Sequence, residues 1–73
     1  MDIYEIDKLK EDIAFHLANI EGAADALVPL AAQLDLEEVA VLRDNLKSLA
    51  RSFYSKVENT HFMRRQKILR GEE

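Results

Sequence analysis

From Ile6 to Leu34, apolar or small residues return at alternating steps of three and four: Ile6, Leu9, Ile13, His16, Ile20, Ala23, Leu27, Leu30 and Leu34. Such steps keep one stripe of an α-helix apolar, and Ile3, Leu17, Ala24 and Ala31 widen that stripe on one side. Asp2 is placed to cap the helix N-terminus, with Glu5 three residues on to complete a capping box. Gly22 weakens a helix by about 1 kcal/mol relative to Ala, and Pro29 has no N–H to offer the carbonyl of Asp25. Because the stripe continues through Leu30 and Leu34, the pattern predicts a kink or short break near Pro29 rather than a domain boundary.

Asp35, followed three residues later by Glu38, gives a second cap signal. A second stripe follows it through Val39, Leu42, Leu46, Leu49, Phe53 and Val57, turning polar at Thr60 and His61 before Ile68 and Leu69. Arg64, Arg65, Lys67 and Arg70 fall in the last turns, where cations favour the negative end of the helix dipole, and Gly71 can close the helix. No strand-like alternation, internal repeat or low-complexity segment interrupts this pattern. Two helices of about 30 residues, each roughly 45 Å long and joined by a short turn, fold back antiparallel. The predicted fold is all-α, a single helical-hairpin domain over residues 1–73. Both stripes are broader than one hairpin can cover, so a homodimer packed as a four-helix bundle is the expected assembly.

Length and composition reinforce that expectation. A chain of 73 residues buries only about 60% of its unfolded surface. Small domains recover stability from disulfides, metals or oligomerisation, and the absence of cysteine removes the first route and any thiolate metal site. With 48% hydrophobic and 33% charged residues the chain is too apolar for disorder. It has no apolar run near the roughly 18 residues of a membrane span, and it opens on an amphipathic pattern instead of a secretory signal. A cytoplasmic protein with no membrane partner is expected.

Charge argues against nucleic acid as the main partner, since the formal net charge is −4 and phosphate neutralisation supplies most nucleic-acid affinity. The charge is unevenly spread. Residues 1–50 carry four basic side chains against eleven acidic ones, a net of −7, while residues 51–73 carry six against three, a net of +3. In an antiparallel hairpin the acidic start (Asp2, Glu5, Asp7, Glu11, Asp12) comes to lie beside the basic finish.

Few residue constellations suggest chemistry. Glu58 and His61 have the Glu-x-x-His spacing that supplies metal ligands in di-iron bundles, and Asp12 and His16 are expected near them. Those bundles require two such motifs and two further carboxylates, so a solvated Glu and His near a helix end is preferred, with no metal or other cofactor. His16, at a stripe position, is expected to find a polar partner such as Tyr54 across the helix pair. Ser48, Ser52 and Ser55 lack any oxyanion-hole signature, and no catalytic residue is assigned.

Phe62-Met63-Arg64-Arg65-Gln66-Lys67 resembles a basic patch with an aromatic neighbour, and in overall plan the chain resembles the small helical-hairpin dimers of plasmid copy-number control, which bind RNA across the bundle. The hydrophobic pattern around Leu42, Leu46 and Leu49 is also similar to that of the hairpin phosphatases acting on response regulators in sporulating bacteria. The Ser-Gln-Glu-Leu-Asp signature of those phosphatases would fall on Arg43-Asp44-Asn45-Leu46-Lys47, where only the Leu is kept, and no activity is carried over.

More informative are large apolar groups that the stripes do not require. Tyr4 and Phe15, eleven residues apart, share a second stripe that continues through the small Ala18 and Gly22, while Tyr54 and Phe62 share a face of the second helix. Aromatics are common interface anchors, and small residues admit another backbone. The function expected is that of a small non-enzymatic protein that binds another protein as a regulator or inhibitor. Proteins of this kind, many carried by phages and mobile elements, act on larger bacterial proteins by occlusion. The alternative is RNA binding through Arg64, Arg65, Lys67 and Arg70.

Overall fold

The computed structural model describes residues 1–71 and contains two helices, α1 (Ile3–Ala32) and α2 (Val39–Leu69), packed antiparallel. Asp2 is extended and its Oδ1 accepts a hydrogen bond from the Glu5 N–H at 2.8 Å, which satisfies one of the orphan donors of the first turn. Helix α1 then runs unbroken through Gly22 and Pro29. Of the kink or short break expected near Pro29, the break does not occur, and the helix continues although Pro29 gives no N–H to the Asp25 carbonyl.

Asp35 has a different role from the one its spacing suggests. Its φ of +60° is left-handed, the Leu36 N–H donates to the Ala31 carbonyl at 3.1 Å, and the Asp35 N–H donates to the Ala32 carbonyl at 3.0 Å. This pair of bonds is a Schellman turn closing α1. A residue held left-handed cannot also take the extended conformation of an N-cap, so the cap of α2 moves to Glu38, which makes no side-chain capping bond. Helix α2 instead begins on short i→i+3 bonds from Val39 to Leu36 and from Ala40 to Glu37. At its far end Gly71, with φ +74°, closes the helix as the sequence predicts.

The hairpin buries little. Only Ile6, Ala24 and Ala50 are buried among the described residues, at 5–8% exposure. The stripe that meets α2 runs along Ile3, Ile6, Lys10, Ile13, Leu17, Ala24, Val28 and Ala31, and it meets Val39, Arg43, Lys47, Ala50, Tyr54, Val57, His61 and Ile68. This differs from the stripe centre read in the sequence. Contact between the helices uses the widened edge of the α1 stripe, and the column Leu9, His16, Ile20, Ala23, Leu27, Leu30 is turned outward. Small side chains at Ala24 and Ala50 permit the close approach, and in this register charged side chains on the two helices can meet.

Candidate interaction surfaces

Two groups of charges bridge the helices. Near the turn, Lys47 Nζ donates to Asp25 Oδ2 at 3.1 Å and to Oδ1 at 3.3 Å, while Arg43 Nη1 donates to Asp25 Oδ1 at 3.3 Å and Arg43 Nε to Asp44 Oδ1 at 2.7 Å. The hydrogen bond from Lys47, assisted by the charges of Lys47 and Arg43, holds the Asp25 carboxyl below the usual carboxylate range. The bond to Asp44 raises the Arg43 guanidinium in turn. At the other end His61 Nε2 lies 2.6 Å from Asp7 Oδ1, and Arg65 Nε lies 3.5 Å from the same oxygen. The acidic start and basic finish therefore do meet, through Asp7 and Arg65. Sequence reasoning missed the Asp25 group, although Asp25, Arg43 and Lys47 stand at matching distances from the turn.

With this rotation the large aliphatic side chains of both helices emerge on one broad face. Leu9, Ile20, Leu27 and Leu30 stand exposed along α1, and Leu42, Leu46, Leu49 and Phe53 along α2, with Leu27 57% and Leu49 68% exposed. A cavity of about 360 Å³ opens on this face, where Leu9 and Ile13 meet Phe53, Val57 and Thr60.

The opposite side differs. Tyr4, 74% exposed, and Phe15, 64% exposed, lie along α1 with Ala18 and Gly22, all open to solvent, and a side chain added at Gly22 would meet nothing within 4 Å. Ala18 is brought beside Tyr54 in a groove of about 430 Å³ with Ala14, Leu17 and Glu58. Tyr54 is half-buried and reaches Phe62 through a second hollow of about 600 Å³ that also holds Glu11, Glu58 and His61. Of the six residues proposed for partner binding, the fold gathers Ala18, Tyr54 and Phe62 on this side. It leaves Tyr4, Phe15 and Gly22 further round α1.

The histidines are placed differently from expectation. His16 is exposed and packs edge-on against Phe15, with ring centroids 5.7 Å apart and planes at 69°, not against Tyr54. The outward rotation of its column is the cause. Asp12 pairs with Lys8 at 3.6 Å on the outer edge of α1, away from Glu58, and among the described residues no group of three or more His, Asp or Glu side chains could hold a metal ion. Of the basic residues, Arg65 is half-buried against Asp7, and Arg64, Lys67 and Arg70 are exposed. Among the described residues no helix is long and apolar enough to cross a membrane.

Compared with protein-family models, curated proteins and solved structures, the chain matches none.

Proposed function

We propose that this protein acts by binding another protein, as a regulator or inhibitor that occludes part of a larger bacterial partner, and that it performs no catalysis itself. The observation that carries this reading is the exposure of Tyr4 and Phe15 on the side of α1 turned away from both α2 and the broad aliphatic face. Burying an aromatic side chain of this size is worth several kcal/mol when a partner covers it, and exposed aromatics beside small residues suit a helix or loop laid against Ala18 and Gly22. The cytoplasm is the compartment in which a cysteine-free chain of this kind would meet such a partner.

The test is affinity capture from the native cell or host with the wild-type chain and with Tyr4→Ala and Phe15→Ala variants. A protein retained by the wild type should be lost from each variant, with each truncation weakening binding by on the order of 2 kcal/mol, while helical content is unchanged. Retention of RNA in place of protein, abolished by Arg64→Ala with Arg65→Ala, would establish the nucleic-acid alternative instead.

A further inference from the structure

The broad aliphatic face has a pattern of charge along its edges. By the 100° step of the helix, Glu5 and Asp12 flank Leu9 on the outer edge of α1, and Lys56 and Lys67 flank Phe53 and Thr60 on the outer edge of α2. All four are exposed, and all lie toward the end of the hairpin where α1 starts and α2 finishes. Lys8, paired with Asp12 at 3.6 Å, offsets part of the charge on the α1 edge, which stays net acidic, while the α2 edge is basic. Further along, toward the turn, the same edges carry Asn19 and Ala26 on α1 and Asn45 and Ser52 on α2, which are neutral.

We infer that a second copy of this chain covers the face, related by a two-fold axis running along the hairpin, so that α1 of each copy lies on α2 of the other and the two turns sit at the same end. This arrangement sets the acidic edge of one copy on the basic edge of the other, and symmetry does so twice. The alternative two-fold, across the hairpin, sets α1 on α1 and α2 on α2 in opposite directions, which leaves the charged edges opposite neutral ones. The middle of the face is consistent with the first arrangement. Cross-helix pairs such as Asp7 with His61 and Glu21 with Arg51 show which residues share a level. Matching levels between copies places Ile20 near Leu49 of the second copy and Leu27 near Leu42 of the second copy.

The area suffices. The hairpin measures 57 × 16 Å across this face, a footprint on the order of 900 Å², and a standard interface needs about 800 Å² per partner. The need is also clear, because a hairpin that among its described residues buries only Ile6, Ala24 and Ala50 has little to set against the roughly 1–2 kcal/mol of backbone entropy lost per ordered residue. The second copy lies on the side away from Tyr4 and Phe15, so this inference and the partner-binding reading fail independently.

A charge-swap experiment on the full chain tests the inference. Glu5→Lys with Asp12→Lys, and separately Lys56→Glu with Lys67→Glu, should each weaken the dimer about tenfold or more at low salt, because both edges of either homodimer then repel. Mixing the two variants should restore wild-type association, since both edges of the mixed dimer attract. Sedimentation of the wild type should give twice 8.4 kDa. Circular dichroism of the mixture shows whether a variant that unfolds alone refolds with its complement. As an orientation measurement independent of the swaps, spin labels on Gln33→Cys should lie within about 30 Å of each other across the dimer. The crosswise two-fold would separate them by roughly the 45 Å of a 30-residue helix. A monomer at all concentrations, a mixture no tighter than its components, or the long label distance would each overturn the inference.

Discussion

Pro29→Ala should stabilise the protein, and the size of the gain can be worked from the position of the ring. Helix α1 continues through Pro29 to Ala32, so the carbonyl of Asp25 lacks the i→i−4 bond that every neighbouring turn makes. Pro29 is exposed, so water reaches this part of the helix. Restoring the bond then contributes about 1 kcal/mol, short of the larger penalty for a buried orphan. The full Pro-to-Ala difference in a helix interior, about 3 kcal/mol, is the upper bound. Against the gain stands the stiffness Pro gives the unfolded chain, worth about 0.4–1 kcal/mol, which Ala forfeits. The net gain then lies between about 0 and 2.6 kcal/mol. In a domain of this size each kcal/mol moves the melting midpoint by about 4–8 °C.

The assay is a thermal melt followed by circular dichroism, at one fixed protein concentration because the midpoint of a self-associating chain moves with concentration. A urea titration alongside should shift its midpoint without changing its slope, the mark of altered stability without altered compactness. If the midpoints clearly fall, the unbroken helix is refuted and Pro29 instead opens a separate element.

Three further outcomes follow from other positions. Asp35→Gly should raise stability by about 0.5–1 kcal/mol, since the left-handed φ of +60° strains a residue with a Cβ, whereas Asp35→Val should lower it; urea midpoints decide. Ala50→Leu should cost about 1–3 kcal/mol by forcing α1 and α2 apart at one of their closest points, read as a lower urea midpoint. The folded-state pKa of Asp25 is depressed, so its contribution is present above the ordinary carboxylate pKa and is lost as pH falls through the lowered folded value. Asp25→Asn should therefore be less stable than wild type at neutral pH, and the two should converge below the carboxylate range; a gap that persists in acid would remove the electrostatic explanation.

Much of the architecture was legible in the sequence because its signals are local. The three-four spacing, the Asp2 cap and the glycine at position 71 each depend on a few consecutive residues, and each appears where the pattern places it. The role of Asp35 was not legible, since the same Asp-x-x-Glu spacing that can begin a helix also follows a left-handed stop. Only the geometry of the turn decides between them. The rotation of the helices about their axes was not legible either. A stripe spanning both the Leu9 column and the Leu17 column can present either edge to its neighbour, and hydrophobicity favours the wrong one, because the larger side chains are on the outward column.

The observed rotation brings together small residues and charge. Ala24 and Ala50 permit the two helices to come close, and Asp25 with Lys47 and Asp7 with Arg65 can meet across the gap when those alanines face each other's helix. Turning either helix by a quarter turn would bury Leu27 or Leu49 inside the hairpin and strand these charges on opposite sides. An isolated hairpin would gain from that burial, whereas a hairpin that pairs with a second copy loses nothing by leaving its leucines outward. The same choice explains why His16 has no polar partner within its own chain among the described residues: its column faces outward with Leu9 and Ile20. It also explains why Tyr4 and Phe15 are exposed in a chain this small. Once the aliphatic face is turned to one side and the alanine seam inward, the remaining side of α1 is served by neither, and the aromatic groups there stay exposed.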